Sequence, residues 1–238
     1  MSANRKLAIL MYHQVGDFRN IKTLKANYCH YKRFTRQMLM LKLTGQHVIP
    51  MSEVSRFLSG EGEYPERCVA ITFDDGYENF YQYAYPVLKK YQLPAMVYIV
   101  SGKLSGRSEW LKDDGHQPQA LMSREQIREV YANGIEIGSH SVTHPRLAQL
   151  SADSCLQELQ QSKNDLEELL GGTVDHICYP YGSFSEEVGQ QADKAGYRVG
   201  TTTVKGLALP DQNLLSLPRK AVSFNDGVLK TWKNIHRL

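Results

Sequence analysis

The stretch Cys68-Val69-Ala70-Ile71-Thr72-Phe73-Asp74-Asp75-Gly76 joins an apolar run to two adjacent carboxylates. From Cys68 to Phe73 the side chains are β-branched, aromatic or small, with no polar alternation, the pattern of a strand buried on both faces. Asp-Gly is a common hairpin signal, so Asp75-Gly76 taken alone also fits a turn between antiparallel strands. The continuation argues otherwise: Tyr77 to Tyr91 reads as helical, which puts Asp74 and Asp75 at a strand-to-helix corner. Adjacent like charges raise each other's proton affinity, and the cost is relieved when one carboxylate binds a cation. The pair therefore divides into one ligand and one base.

The same kind of run recurs along the chain at Leu7 to Tyr12, Ala95 to Val100, Ile135 to Gly138, His176 to Tyr179 and Tyr197 to Thr201. Helical spacing lies between them. Phe34 to Leu43 and Ser123 to Asn133 carry apolar residues on one side, and a leucine stripe runs from an N-cap at Ser151 to Gly171-Gly172, where glycine allows a left-handed stop. Pro86 predicts that the helix after Asp75 begins near it or kinks there. Alternating strands and helices predict an α/β fold around a parallel sheet, and no linker or repeat divides residues 1–238, so one domain is expected. Ser101 to Ala120 lacks periodicity and reads as a long surface loop of the kind that often serves as a lid. After Pro210 the pattern is weakest.

Composition excludes several classes. The 238 residues carry 28 basic and 25 acidic side chains, a net charge of +3, with 42% hydrophobic and 22% charged residues, near globular averages. No Lys/Arg stripe of the kind nucleic-acid binding needs is present. Cys29, Cys68, Cys155 and Cys178 form no Cys-x-x-Cys pair, which argues against a zinc knuckle or a thioredoxin-like motif. No run approaches the length needed to cross a bilayer, and the apolar run from Leu7 is broken at His13, too early for a secretory segment. The expectation is a soluble, cytoplasmic protein.

Polar clusters follow four of the runs. In a parallel α/β barrel the strand C-termini share one face, so the clusters would converge there. Beside Asp74-Asp75 stands His140-Ser141-Val142-Thr143-His144, whose two imidazoles four residues apart would share one face of a helical turn and chelate a metal. They also fit a pair of capping or surface histidines. Ser141 stands where a zincin would carry Glu, so the base must come from elsewhere. Cys178-Tyr179-Pro180-Tyr181-Gly182 runs from a strand end into a rigid turn, which is either a packing loop or a means of aiming a backbone N–H at an oxyanion. Met11-Tyr12-His13-Gln14 ends the first strand and adds a histidine to the same rim.

In order and spacing, Thr72 to Gly76, His140 to His144 and Pro180-Tyr181 resemble the signature of the polysaccharide deacetylase superfamily, carbohydrate esterase family four. The resemblance covers about residues 7 to 205 and implies a distorted (β/α) barrel of about seven parallel strands. The usual late Leu-x-His motif is missing, and the only late histidine is His236. Tyr12-His13 instead resembles the circularly permuted branch, which includes deacetylases of bacterial poly-N-acetylglucosamine. A second departure is the absence of arginine from the Arg-x-Pro-Tyr turn, for which Pro218-Arg219 offers a substitute guanidinium.

Carried over residue by residue, the resemblance implies a divalent metal on Asp75, His140 and His144, Asp74 as general base and His13 as general acid. The Tyr181 N–H would donate to the oxyanion and Arg219 would hold Asp74. The ion expected from such ligands is Zn²⁺, with Co²⁺ or Ni²⁺ as alternatives. Trp110, Tyr77, Tyr179, Tyr181 and Phe184 are candidates to stack on sugar. The expected substrate is an N-acetylated oligosaccharide, polysaccharide or lipid-linked sugar. An O-acetyl esterase and a glycan-binding pseudoenzyme are the competing readings.

Overall fold

The computed structural model describes residues 4–112 and 115–237. Its strands, in chain order, are β1 (Lys6–Tyr12), β2 (Gln14–Gly16), β3 (Tyr28–His30), β4 (His47–Val48), β5 (Arg67–Phe73), β6 (Met96–Ile99), β7 (Glu136–Ser139), β8 (His176–Cys178), β9 (Val199–Lys205) and β10 (Leu217–Ala221). The helices are α1 (Tyr31–Leu43), α2 (Val54–Ser59), α3 (Tyr85–Tyr91), α4 (Arg124–Ala132), α5 (Ala152–Leu170), α6 (Glu186–Lys194) and α7 (Val228–His236). All strand pairings in the main sheet are parallel, in the order β1-β10-β9-β8-β7-β6-β5, and β1 pairs with β5 to close a seven-stranded ring. The short β4 adds to β5, while β2 and β3 pair outside the ring.

Side-chain parity sorts the barrel. Leu7 and Ile9 of β1, Cys68 and Ala70 of β5, Met96 and Tyr98 of β6, and Leu217 of β10 share one apolar cluster inside the ring, plugged by Val54, Phe57 and Leu58 of α2. The residues between them, Ala8, Leu10 and Tyr12 with Val69, Ile71 and Phe73, pack outward against α1, α3 and α7. Successive strand residues point to opposite faces, so the inward series continue to Met11 and His13, to Thr72 and Asp74, and to Arg219. Gly138 keeps the interior open at β7, since a Cβ there would meet the Tyr98 ring at 2.5 Å.

The expected capping appears where the sequence signalled it. The Ser123 hydroxyl accepts from Gln126 N, Ser151 from Ser154 N, and α5 ends on Gly171 at φ 65°. Pro86 lies inside a continuous helical run, directly after a π-helical turn over Phe80–Ala84 that accommodates its missing N–H. Ser101 to Ala120 is folded back on itself. Two 3-10 turns, Ser101–Lys103 and Glu109–Lys112, and an antiparallel bridge between Arg107 and Ala120 fix it, while Asp113 and Asp114 lie outside the described residues. Leu111 and Leu121 pack on Tyr77 beneath it. Among the described residues no helix is long and apolar enough to cross a membrane.

Candidate active site

The parallel register of β1 and β5 pairs Tyr12 with Phe73, so His13 and Asp74 emerge side by side. Asp74 N donates to Tyr12 O at 2.9 Å, and His13 Nε2 stands 3.7 Å from Asp74 Oδ2. From the adjoining strand β10, Arg219, 1% exposed, turns its whole fork on this corner. Nη1 and Nη2 each donate to one Asp74 oxygen at 2.7 Å, Nη1 also to Thr72 Oγ1 at 3.1 Å, Nη2 to Cys178 Sγ at 3.0 Å, and Nε to Thr202 O at 2.9 Å. Burial pushes the Asp74 carboxyl up, but the Arg219 charge and its paired hydrogen bonds outweigh that and hold it below the usual carboxylate range. Asp74 is thus an ionised acceptor locked in one orientation.

Asp75 turns the other way. Its left-handed backbone, φ 72°, swings the side chain from the Asp74 corner toward β7, where Oδ1 lies 3.2 Å from His140 Nε2 and 3.3 Å from His144 Nε2. The two histidines do not share a helical face as their spacing suggested. His140 follows the end of β7 and points inward by strand parity. A loop with Ser141 at φ 64° and His144 at φ 66° then folds the second ring back onto the first. A left-handed residue other than glycine costs roughly 1–2 kcal/mol, and Asp75, Ser141, His144 and Tyr181, at φ 59°, all adopt that conformation around one cleft. Such strain persists where surrounding contacts over-determine the backbone, and it gathers at functional sites.

The three donor atoms lie within 4.8 Å of one another, and all three residues are buried. His140 Nδ1 donates to Cys178 O at 2.6 Å, which fixes the tautomer and turns the Nε2 lone pair toward Asp75. Three acceptors facing one point need a proton or a cation between them. Their separations match the edge of a coordination sphere with metal–ligand bonds of about 2.0–2.2 Å. The residues therefore fit a divalent ion. A second trio, Asp74, His140 and Cys178, has its donor atoms equally close, but Arg219 already occupies both Asp74 oxygens and the thiol.

His144 is held differently from His140. Its Nδ1 is buried without a hydrogen-bond partner, and the ring is clamped instead by aromatics. Trp110 stacks on it at 4.3 Å and 19°, and Tyr181 meets it edge-on at 4.6 Å and 65°. Arg146 covers the outer face of Tyr181 at 4.1 Å. Trp110 and Tyr181 line the cleft above the two aspartates, with Leu24 and Leu111 beside them.

Two expected sugar platforms are corrected. Tyr179 is 0% exposed and faces outward by parity, with its hydroxyl on Leu215 O at 2.8 Å and its ring against Phe184, which is itself partly buried. Tyr77 is also 0% exposed, at the centre of the small cluster under the 101–120 segment. Neither can offer a ring to a ligand. The sequence reading also passed over Thr72, Thr202 and the Cys178 thiol, the remaining cradle of Arg219. Strand parity marks Thr72 and Cys178 as inward-facing, which was the available signal.

Residues 61–200 match the sequence model of the polysaccharide deacetylase family. The chain is 34% identical to YxkH of Bacillus subtilis, provisionally named a polysaccharide deacetylase, over 92% of this chain and 72% of the relative. It is 25% identical to the poly-β-1,6-N-acetyl-D-glucosamine N-deacetylase of Staphylococcus aureus over 92% of this chain and 77% of the relative. Among solved structures, the Streptococcus pyogenes deacetylase PplD, in complex with acetate, superimposes with a TM-score of 0.84 at 31% identity, covering 97% of this chain and 98% of that one. IcaB from Ammonifex degensii shares the fold, with a TM-score of 0.80 at 21% identity over 98% of each chain.

Proposed function

The chain belongs to the polysaccharide deacetylase family, and from that premise we propose that it hydrolyses N-acetyl groups on N-acetylhexosamine units of a glycan, using a divalent metal. The observation that carries the reading is the division of two neighbouring aspartates: Asp74 is locked by Arg219 beside His13, while Asp75 faces His140 and His144.

Asp75, His140 and His144 would hold the ion, and zinc suits their donor set, with cobalt and nickel close behind. When bound, such an ion polarises an acyl carbonyl and acidifies a water. Asp74 then accepts the proton of the attacking water. Its depressed proton affinity keeps it ionised and ready at neutral pH, and Arg219 prevents its rotation. His13 supplies the proton to the departing nitrogen, since an amide anion does not leave unprotonated. We assign the backbone amide of Tyr181 to the developing oxyanion. Trp110 and Tyr181 flank the acetyl group and shield it from bulk water.

The S. aureus relative's name points to poly-β-1,6-N-acetylglucosamine as the first glycan to test. The test is acetate release from N-acetylglucosamine oligomers by metal-stripped protein, with and without Zn²⁺ or Co²⁺, and with Asp74→Asn as the blank. Acetate that depends on both metal and Asp74 is the expected result. Release by the stripped protein, or by Asp74→Asn with metal, at the rate of the metal-loaded wild type overturns the assignment.

A further inference from the structure

The loop that carries His144 is tied down from outside the cleft. Glu158 of α5 reaches over it, and its Oε2 accepts from Val142 N at 2.9 Å and from Thr143 N at 3.0 Å, while Oε1 accepts from Thr143 Oγ1 at 2.7 Å. The carbonyls of the same segment are held from the opposite side, where Ser101 N donates to Ser141 O at 3.1 Å and Gly102 N to Val142 O at 3.0 Å. Within the loop, Ser141 N donates to Ser139 Oγ at 3.2 Å, and His144 N to Ser141 Oγ at 3.1 Å. The two peptides gripped by Glu158 lie between Ser141 and His144, the two left-handed residues of the turn. Farther along the same helix, Ser162 Oγ meets Ser139 Oγ at 2.8 Å, and Asp165 accepts from Ser101 Oγ at 2.8 Å.

We propose that Glu158 is a positioning residue for the metal-binding trio, fixing the Ser141–His144 turn so that the His144 ring meets Asp75; the metal part of this role rests on the functional reading above. Hydrogen bonds that backbone N–H groups donate to a carboxylate are the strong kind. They matter more here because His144 Nδ1 has no partner of its own, so the backbone and the aromatic clamp are what aim the ring. Glu158 is only half-buried and Thr143 is exposed, so water can take over the freed N–H groups when the carboxylate is removed. Its loss therefore loosens the turn without unfolding the barrel.

Glu158→Ala and Glu158→Gln separate this role from a general structural one. In the Gln variant the amide oxygen can still accept from both N–H groups, and the amide NH₂ can donate to the Thr143 hydroxyl. The expected result is Zn²⁺ affinity, read by chelator competition, weakened about 10- to 100-fold in Glu158→Ala, the usual cost of losing a group that orients a ligand. Glu158→Gln should stay close to wild type, and kcat at saturating zinc should recover in both. Wild-type affinity in Glu158→Ala overturns the proposal, as does a Gln variant as weak as the Ala variant. Amide exchange of Val142 and Thr143 in metal-free protein is the second readout. It should quicken in Glu158→Ala alone, and unchanged exchange overturns the anchoring. A wild-type protein that binds no Zn²⁺ overturns the functional reading and with it the metal role, while the exchange result still decides the anchoring.

Discussion

Arg219 donates one hydrogen bond to each carboxylate oxygen of Asp74, both at 2.7 Å, across 145 residues of chain. Arg219→Met leaves a buried carboxylate without its partner, so it should destabilise the fold by about 3–5 kcal/mol, and Asp74→Asn in the same chain should recover much of that. Urea denaturation of the three variants measures it. An Arg219→Met protein as stable as wild type would mean that the pair is not coupled.

Arg219→Lys keeps the charge and loses the fork. Asp74 is then held less far below its ordinary range, so it takes up a proton at a higher pH as the solution is acidified. The acid limb of the kcat/KM profile should move upward in pH, with a lower plateau. A pH–rate profile with an unmoved acid limb would dissociate Asp74 from the base role.

His13→Ala should reduce N-acetyl hydrolysis by about 100- to 10,000-fold, the usual contribution of a positioned acid. An acetyl ester of the same sugar should lose far less, because an alkoxide leaves more readily than an amide anion. Equal losses on the two substrates would remove His13 from the leaving-group step.

Trp110→Ala strips the stacked face from His144. An aromatic pair contributes about 0.5–1.5 kcal/mol beyond its buried area, so zinc should bind roughly 2- to 10-fold more weakly. KM should rise as the cleft loses a wall. Zinc titration and steady-state kinetics of the variant check both effects.

His176 gives a stability signal separate from catalysis. Burial pushes its imidazole down from 6.5 to about 4. The folded protein therefore keeps it neutral while the unfolded chain protonates near 6.5, so stability is undiminished above that pH and falls on acidification toward 4. The loss by pH 4 is about 3 kcal/mol, and His176→Asn should flatten that part of the curve. Melting temperatures from pH 7 to 4 decide it.

The fold was legible where strands are buried on both faces. Leu7 to Tyr12 and Cys68 to Phe73 announce themselves because every position is apolar or small. Leu217–Ala221 did not, since Pro218, Arg219 and Lys220 give it the polarity of a loop. That polarity has a cause. The strand carries the arginine that neutralises a buried carboxylate, so hydropathy hides a strand that serves the site. Asp74, Asp75, His140 and His144 were readable because each follows a recognisable strand end. The exposure of Tyr77 and Tyr179 was not, because an aromatic beside a strand end belongs to rim or core according to parity and to packing by distant segments. Glu158 left no local mark, lying on a helix whose leucine stripe speaks only for its other face.

Cys178 divides its duties between backbone and side chain. The carbonyl that fixes His140 exists in every amino acid, so no codon change at position 178 deletes it, whereas the thiol against Arg219 can be lost in a single base substitution. Random replacements there should strike turnover through the Asp74 corner before they touch ion binding. Inheritance protects one half of the site at this position and leaves the other open to drift.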